Sequence, residues 1–507
     1  MAKFALLAAA ATIGLSATAL AETPQGAAAL LDAHLDRMPD IGPGLAVVVV
    51  DANDILLDRR TGTRRVSTGA PIEADTPIYI ASQTKAYMGL VAARLHEEGV
   101  LSLDSRLTDH WPDLQFPDGV DPSAFTLRDL LSHEVAISND MITMLEAYVT
   151  TVDPVDYPAL IAEFSEAREP GFEYANLGYN IYGAILETAT GKSWQDWMDD
   201  ALFDPMGWDQ TSARTSDFSL DELAWSHIWT GEDGGWYEVR PKTDGMMQSA
   251  GGLVTSTADM AEFLQLQLRG EGPAGSGITA SMMDMAQTSY AETGEEDGRN
   301  PYELSCSGYT LGWSLCEFAG YDIHIHGGGY TGNRTMMAFA PELGVGIAGF
   351  SNSDNQTGWA VSRAVINMFF MYLVEDEDSD RMSELRVNHY PERVARVLEI
   401  RNEREAEARA DESWGDWSWQ PNASELAQYA GEWDGGNQYL QIRLVLEGEA
   451  LQAQWGDARM SLEPAREDLF AGQSHPFDSL EAFAFNRDAD GQLVSFSWGG
   501  QTYTRRR

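Results

Sequence analysis

The stretch Ile80-Ala81-Ser82-Gln83-Thr84-Lys85 runs straight into Ala86 to Leu95, where Met88, Val91, Ala92 and Leu95 recur at helical spacing. This predicts a helix that opens at Ser82, has one apolar face and stops at Gly99. Residues three apart on a helix are neighbours, so the Lys85 ammonium falls one turn along from the Ser82 hydroxyl. A helix start favours negative charge on the serine, and a desolvated lysine can lose its proton and then take one from the hydroxyl. The pattern therefore describes a nucleophile with its own base, although a Ser-x-x-Lys tetrad alone is more often an ordinary helix start with a solvated lysine. Lysine usage sharpens the reading. The chain has 33 basic residues, yet lysine stands only at Lys3, Lys85, Lys192 and Lys242. Arginine does not deprotonate and cannot replace lysine as a base.

Length and charge limit the alternatives. At 507 residues with 44% hydrophobic content, the chain can build one large domain plus a smaller one. Met1 to Ala21 reads as a signal peptide, with Lys3, an apolar run and Ala19-Leu20-Ala21 as the cleavage pattern. The expected location is therefore periplasmic or secreted, with no membrane span once the signal is removed. A net charge of −46 argues against nucleic-acid or anionic-membrane partners. Cys306 and Cys316 permit one disulfide in an exported chain. Two free thiols are an equal alternative, because a straight strand would hold the pair too far apart.

Along the chain, Leu45 to Val50 and Ile55 to Leu57 flank the turn residues 51–54 and read as a hairpin. Phe125 to His133 reads as a short helix, with His133 a structural hydrogen-bonder more readily than a base. Leu177, Ile181, Ile185 and Leu186 share one helical face. Ala250 to Asp259 reads as a glycine-bearing strand and a helix start capped by Thr257 or Asp259. Strands are expected at 309–315, 321–326, 335–339 and 345–350, with a closing helix at 361–374. An acidic run, Glu375 to Asp380, and a charged helix from Glu392 to Ala410 then connect rather than pack. Short alternating strands at 439–446, 451–455, 482–485 and 493–498 suggest a small β-barrel or sandwich. The expected divisions are a signal peptide at 1–21, a catalytic domain at 22–374, a linker at 375–424 and a β-domain at 425–507.

Beyond the serine and its lysine, a serine hydrolase needs a proton shuttle, substrate anchors and oxyanion donors. Tyr174-Ala175-Asn176 offers a phenol and a carboxamide two residues apart, which point the same way in extended chain. His326-Gly327-Gly328, followed by Gly329, closes a strand where backbone can approach a ligand. In this order Ser82-x-x-Lys85, Tyr174-x-Asn176 and His326-x-Gly328 resemble the three motifs of the class C β-lactamase and penicillin-binding serine hydrolase family. Leu130-Leu131-Ser132-His133, Gly251-Gly252-Leu253 and Leu311-Gly312-Trp313 resemble its flanking blocks.

The resemblance implies an α+β fold, with an antiparallel sheet flanked by helices and a helical subdomain; the β-domain is an addition. It implies that Ser82 is acylated, Lys85 is its base and Tyr174 the proton shuttle. Asn176 would orient the substrate, His326 would help hold it and position Tyr174, and the N–H groups of Ser82 and Gly329 would form the oxyanion hole. Acyl donors would be β-lactams, D-amino-acid peptides or esters, with no cofactor and no metal. Two departures stand out: Glu134-Val135-Ala136 where a Thr-Ser-Gly-like turn is usual, and His326 where many relatives carry lysine. The latter leans towards the esterase and peptidase relatives. Competing readings are a catalytically weak penicillin-binding or sensor module, a rival third motif at Lys242-Thr243-Asp244, and a metal site on His324, His326 and Asp322.

Overall fold

The computed structural model describes residues 21–39, 42–231, 235–294, 304–353, 363–374, 378–475 and 478–506. The expected signal segment up to residue 20, the acidic residues 375–377 and the first two residues of the closing helix lie outside them.

The body is built on a nine-stranded antiparallel sheet. Its strands are β1 (Gly44–Asp51), β2 (Ile55–Arg65), β3 (Ala70–Pro71), β4 (Ala291–Glu292), β5 (Ser305–Tyr309), β6 (Ser314–Phe318), β7 (Tyr321–Tyr330), β8 (Asn333–Ala340) and β9 (Val345–Ser351), in the spatial order β4-β5-β6-β7-β8-β9-β1-β2-β3. In β1 the apolar run is buried on both faces. Ala46, Val48 and Val50 enter one core, while Leu45, Val47 and Val49 enter the other. Helices α1 (Pro24–Arg37) and α6 (Arg363–Val374) cover the second face. On the first face lie α2 (Thr84–Glu97) and α5 (Thr257–Arg269), and beyond them α3 (Leu127–Leu131) and α4 (Asn176–Thr190).

Helix α2 differs from the expected one-sided amphipathic helix. Every residue from Thr84 to Ala93 is buried, so it runs through the middle of the core. Two glycines permit this. A Cβ at Gly89 would lie 1.7 Å from the Leu311 carbonyl oxygen, and one at Gly312 (φ 110°) would lie 2.4 Å from the Lys85 carbonyl oxygen. The loop that presses on α2 is Thr310 to Trp313, closed by Thr310 N–H donating to Trp313 O at 2.8 Å. The residues expected as a straight strand at 309–315 thus contain a reversal. It sets Cys306 opposite Cys316 on neighbouring strands, with Cα atoms 3.8 Å apart, and the two form a disulfide. Helix α5 is capped by Ser256, which accepts from Asp259 N–H, rather than by Thr257 or Asp259.

A single helix, α7 (Ser379–Ala410), replaces the expected non-packing connector. Its first turns dock on α1: Ser383 bonds the His34 ring at 2.7 Å and accepts from Arg37, and Tyr390 is buried. Arg409 at its far end pairs with Glu463 at 2.8 Å. The closing domain is a closed eight-stranded antiparallel barrel of β10 (Gly431–Asp434), β11 (Gln441–Glu447), β12 (Ala450–Trp455), β13 (Ala458–Arg466), β14 (Leu469–Gln473), β15 (Glu481–Arg487), β16 (Leu493–Trp498) and β17 (Gln501–Arg505). Aromatic residues fill it, among them Trp433, Phe483, Phe496 and Tyr503. Among the described residues no helix is long and apolar enough to cross a membrane.

Candidate active site

Ser82 lies in a 3₁₀ turn, Ala81–Gln83, that leads into α2. The chain entering it is held on two sides. Ile78–Tyr79 pairs with Val254–Thr255, and Ile80 N–H donates to Leu253 O at 3.1 Å. From β8, Asn333 Nδ2 donates to Tyr79 O at 2.9 Å and Thr335 Oγ1 to Ile80 O at 3.2 Å. Ala81 sits at φ 48°, a left-handed conformation that costs a non-glycine residue on the order of 1 kcal/mol. Thr84 holds that turn, donating to Ala81 O at 2.7 Å and accepting from Leu253 N–H at 3.0 Å.

Lys85 is fully buried. Its Nζ donates to Asn176 Oδ1 and to Ala250 O, each at 2.8 Å, and stands 4.9 and 5.4 Å from the ring centres of Tyr174 and Tyr179. Among the described residues no carboxylate pairs with it. Burial without a counter-ion therefore lowers its pKa well below the ordinary lysine value. Such an amine is available in its neutral form as a proton acceptor.

Tyr174 and Asn176 reach Lys85 by different routes. Ala175 is extended, so Asn176 becomes the first residue of α4 and points its carboxamide at Nζ, while the Tyr174 ring lies over the same amine. Burial raises the Tyr174 phenol above its usual value, and its hydrogen bond with Ser82 pulls it back. With 44% of its surface open to water, Tyr174 feels that desolvation less than Lys85 does. A protonated phenol against Ser82 is a donor ready for a leaving group.

On the other side of Ser82, β6 pairs with β7 only as far as Ser314↔Ile325. From His326 to Tyr330, β7 pairs as a strand with β8 alone among the described residues, and its other edge lies beside the Ser82 turn. Gly328 is the closest point, because a Cβ there would lie 2.1 Å from Ile80 O. Gly329 follows it on the same open edge. His326 is neutral, with its pKa lowered to about 3 by burial and then by the nearby Lys85. Its Nδ1 lies 2.7 Å from Gly327 O and its Nε2 3.2 Å from Tyr309 Oη. These partners assign the proton to Nδ1, so that Nε2 accepts from Tyr309. The His326 ring centre stands 5.9 Å from that of Tyr174, and both its nitrogens are engaged elsewhere.

The competing motifs lie elsewhere. His324 stacks on Phe339 at 4.6 Å and meets Gln287 O at 3.2 Å, and among the described residues no group of three His, Cys, Asp or Glu side chains could hold a metal ion. Asp244 of Lys242-Thr243-Asp244 bonds Thr215 and Ser216, and Thr243 bonds Asp457 of the barrel.

Two aromatic side chains support the site: His133 takes the hydrogen-bonding role expected of it, and Tyr309 is a support that sequence reasoning missed. His133, at φ 65°, accepts from Ala175 N–H through Nδ1 at 3.3 Å and lies 4.6 Å from the Tyr174 ring centre. Tyr309 joins it at 4.7 Å and reaches His326. The signal for Tyr309 was its place two residues before the flanking block Leu311-Gly312-Trp313.

Glu146 lies behind the site in a π-helical turn, Leu145–Val149, and is 1% exposed. Burial raises its pKa to about 8, opposed by a bond from Tyr157. The folded protein thus holds a proton that the unfolded chain releases above about pH 4.5. Stability should fall as pH rises from about 5 through 8, by a few kcal/mol in all. Glu146→Gln should melt above the wild type at pH 8.5 and level with it at pH 5, as read by calorimetry; equal melting temperatures at pH 8.5 would refute this.

Comparisons with known proteins bear on the family and the fold. Penicillin-binding protein 4 of Amycolatopsis lactamdurans is 27% identical over 334 residues, covering 62% of this chain and 82% of that protein. Protein flp of Staphylococcus aureus strain MW2 is 23% identical over 62% of this chain and 60% of its own length. Among solved structures, the octameric penicillin-binding protein homologue of Pyrococcus abyssi superposes with a TM-score of 0.55 at 18% identity, over 94% of this chain and 98% of that one. The D-amino acid amidase of Ochrobactrum anthropi SV3 gives 0.52 at 19% identity over 74% and 98%, and the hydrolase EstCE1 gives 0.56 at 17% over 68% and 99%. The sequence model of the Beta-lactamase family matches residues 31–366, and the chain belongs to that family of serine hydrolases.

Proposed function

We propose that the protein is an exported, class C-like serine hydrolase that works through an acyl-enzyme on esters or amides. The observation that carries this reading is the buried Lys85 amine, held by Asn176 and Ala250 without a counter-ion one turn from Ser82. In the reaction, neutral Lys85 takes the Ser82 proton as Oγ attacks the acyl carbon. The N–H groups of Ser82 and Gly329 receive the developing oxyanion. Tyr174 passes a proton to the departing alkoxide or amine, and a water activated by the same pair then releases the acid. Neutral His326 supplies no ammonium for a substrate carboxylate, which favours esters and amides without an anionic group beside the scissile bond. The comparison with a D-amino acid amidase is consistent with amide substrates. Export, to the periplasm or beyond, is supported by the composition of residues 1–21 and by the disulfide.

A parallel turnover panel tests the proposal, with a chromogenic cephalosporin, short-chain p-nitrophenyl esters and D-alanyl amides and peptides. Esters and amides are expected to turn over, and Ser82→Ala to lose at least about 10³-fold in kcat/KM on each. Turnover that survives in Ser82→Ala would overturn the assignment. Acylation without turnover would mark a penicillin-binding module instead.

A further inference from the structure

The barrel touches the body at Val149 and Thr243. Its β12–β13 hairpin tip carries Gly456 and Asp457. Asp457 N–H donates to Val149 O at 2.7 Å, and its carboxylate accepts from Thr243 Oγ1 at 2.8 Å. Gly456 (φ 55°) fits so closely that a Cβ would lie 2.2 Å from Val149 O. The tip thus ties together two segments that are about 90 residues apart in sequence, as loops tied by a tertiary contact often are.

The same two segments are joined from the opposite side by Tyr330, the residue after Gly329. Its hydroxyl donates to Ala147 O at 2.9 Å and contacts Met246 Sδ at 3.6 Å. The Tyr330 ring packs edge-on to Tyr79 at 5.3 Å and lies parallel to Tyr148 at 5.4 Å and 16°. Tyr79, Ala81, Ala147 and Met247 form one buried cluster with Tyr330 against it, so this aromatic pair stands next to the turn that carries Ser82. Tyr148, stacked on Tyr330, keeps 46% of its surface open.

We infer that Tyr148 and Tyr330 form the acyl-group wall of the site, suited to aryl or other flat apolar acyl groups, and that the barrel tip at Gly456–Asp457 is the positioning element that sets it. This rests on the acyl-enzyme reading above. A flat apolar group stacks on such a pair, whereas an acetyl group is too short to use it. Asp457 touches no substrate; it acts by fixing Val149 and Thr243, and through them the turn that bears Tyr148.

The experiment compares p-nitrophenyl acetate with p-nitrophenyl phenylacetate in the full-length protein, alongside the rate of Ser82 labelling by a fluorophosphonate. Tyr148→Ala should lower the ratio of kcat/KM for the phenylacetate to that for the acetate by about tenfold, chiefly through the KM of the phenylacetate. Asp457→Ala and Gly456→Val, which undock the tip by different means, should each shift the ratio the same way by about fivefold. Equal losses on both esters, or an unchanged ratio in all three variants, would overturn the inference. A wild type that no fluorophosphonate labels would instead refute the acyl-enzyme reading, so the two failures are separable. Calorimetry checks that the variants are folded. Should Gly456→Val fail to fold, Asp457→Ala and Tyr148→Ala still decide the question.

Discussion

Lys85→Met is expected to reduce kcat/KM for ester hydrolysis by about 10³-fold or more, while the melting temperature holds or rises. The two effects have one origin. Lys85 is enclosed on all sides, and its amine meets a carboxamide oxygen, a backbone carbonyl and two tyrosine rings, with no carboxylate among the described residues to pair with it. Keeping a titratable amine there costs desolvation energy that no ion pair offsets. Methionine matches its length, is at ease in that volume and removes the cost, but it cannot accept the Ser82 proton. Function and stability should therefore separate, as they do where a site is held in an unfavourable state for its chemistry. Lys85→Arg should be equally inactive, since guanidinium stays protonated, but less stable because a bulkier charged group must fit the same space. Wild-type kcat/KM in Lys85→Met would mean that the lysine is structural.

Gly328→Ala is the second large effect expected. A methyl group there would lie 2.1 Å from Ile80 O and 2.4 Å from Thr335 Oγ1, the backbone and side chain that hold the entrance to the Ser82 turn. Neither can move without shifting Ser82 relative to β7. A displacement of about 1 Å between nucleophile and oxyanion donors costs on the order of 10²-fold in rate, and overpacking of this kind about 2 kcal/mol in stability. Gly327→Ala is the internal control. Its nearest neighbours are the end of the Met336 side chain at 3.1 and 3.4 Å, which can rotate aside, so activity should stay within about threefold. Rate assays and thermal melts of the pair check this. Equal losses in both variants would show that the close approach of Gly328 is not what sets the site.

The elements legible in the sequence are those whose signals are local. The helical period from Leu177 to Leu186 and the β-branched run at Leu45 to Val50 depend on neighbours in the chain, and both occur as read, whereas the helix expected to open at Ser82 begins at Thr84, after the 3₁₀ turn that carries the serine. The second anchor of Lys85 was invisible, because the Ala250 carbonyl lies 165 residues away and every residue has a carbonyl. The reversal at 310–313 was hidden by its apolar flanks. Leu311 and Trp313 look like strand residues, and it is the positive φ of Gly312, its contact with Lys85 and the Thr310 to Trp313 bond that reveal a turn. Half of the barrel strands escaped for a related reason. Gly431–Asp434 is short, Ala458–Arg466 contains Pro464 at a register shift, and Gln501–Arg505 is mostly polar. In α7 the charged composition concealed Ser383 and Tyr390, two positions that dock the helix.

The most direct measurement is to react the protein with a fluorophosphonate or a slowly deacylating ester, digest it, and locate the adduct by mass spectrometry. A single adduct on the peptide that contains Ser82, absent from Ser82→Ala and strongly slowed in Lys85→Met, is the predicted result. An adduct on another residue, or equal modification of wild type and Ser82→Ala, would contradict the account.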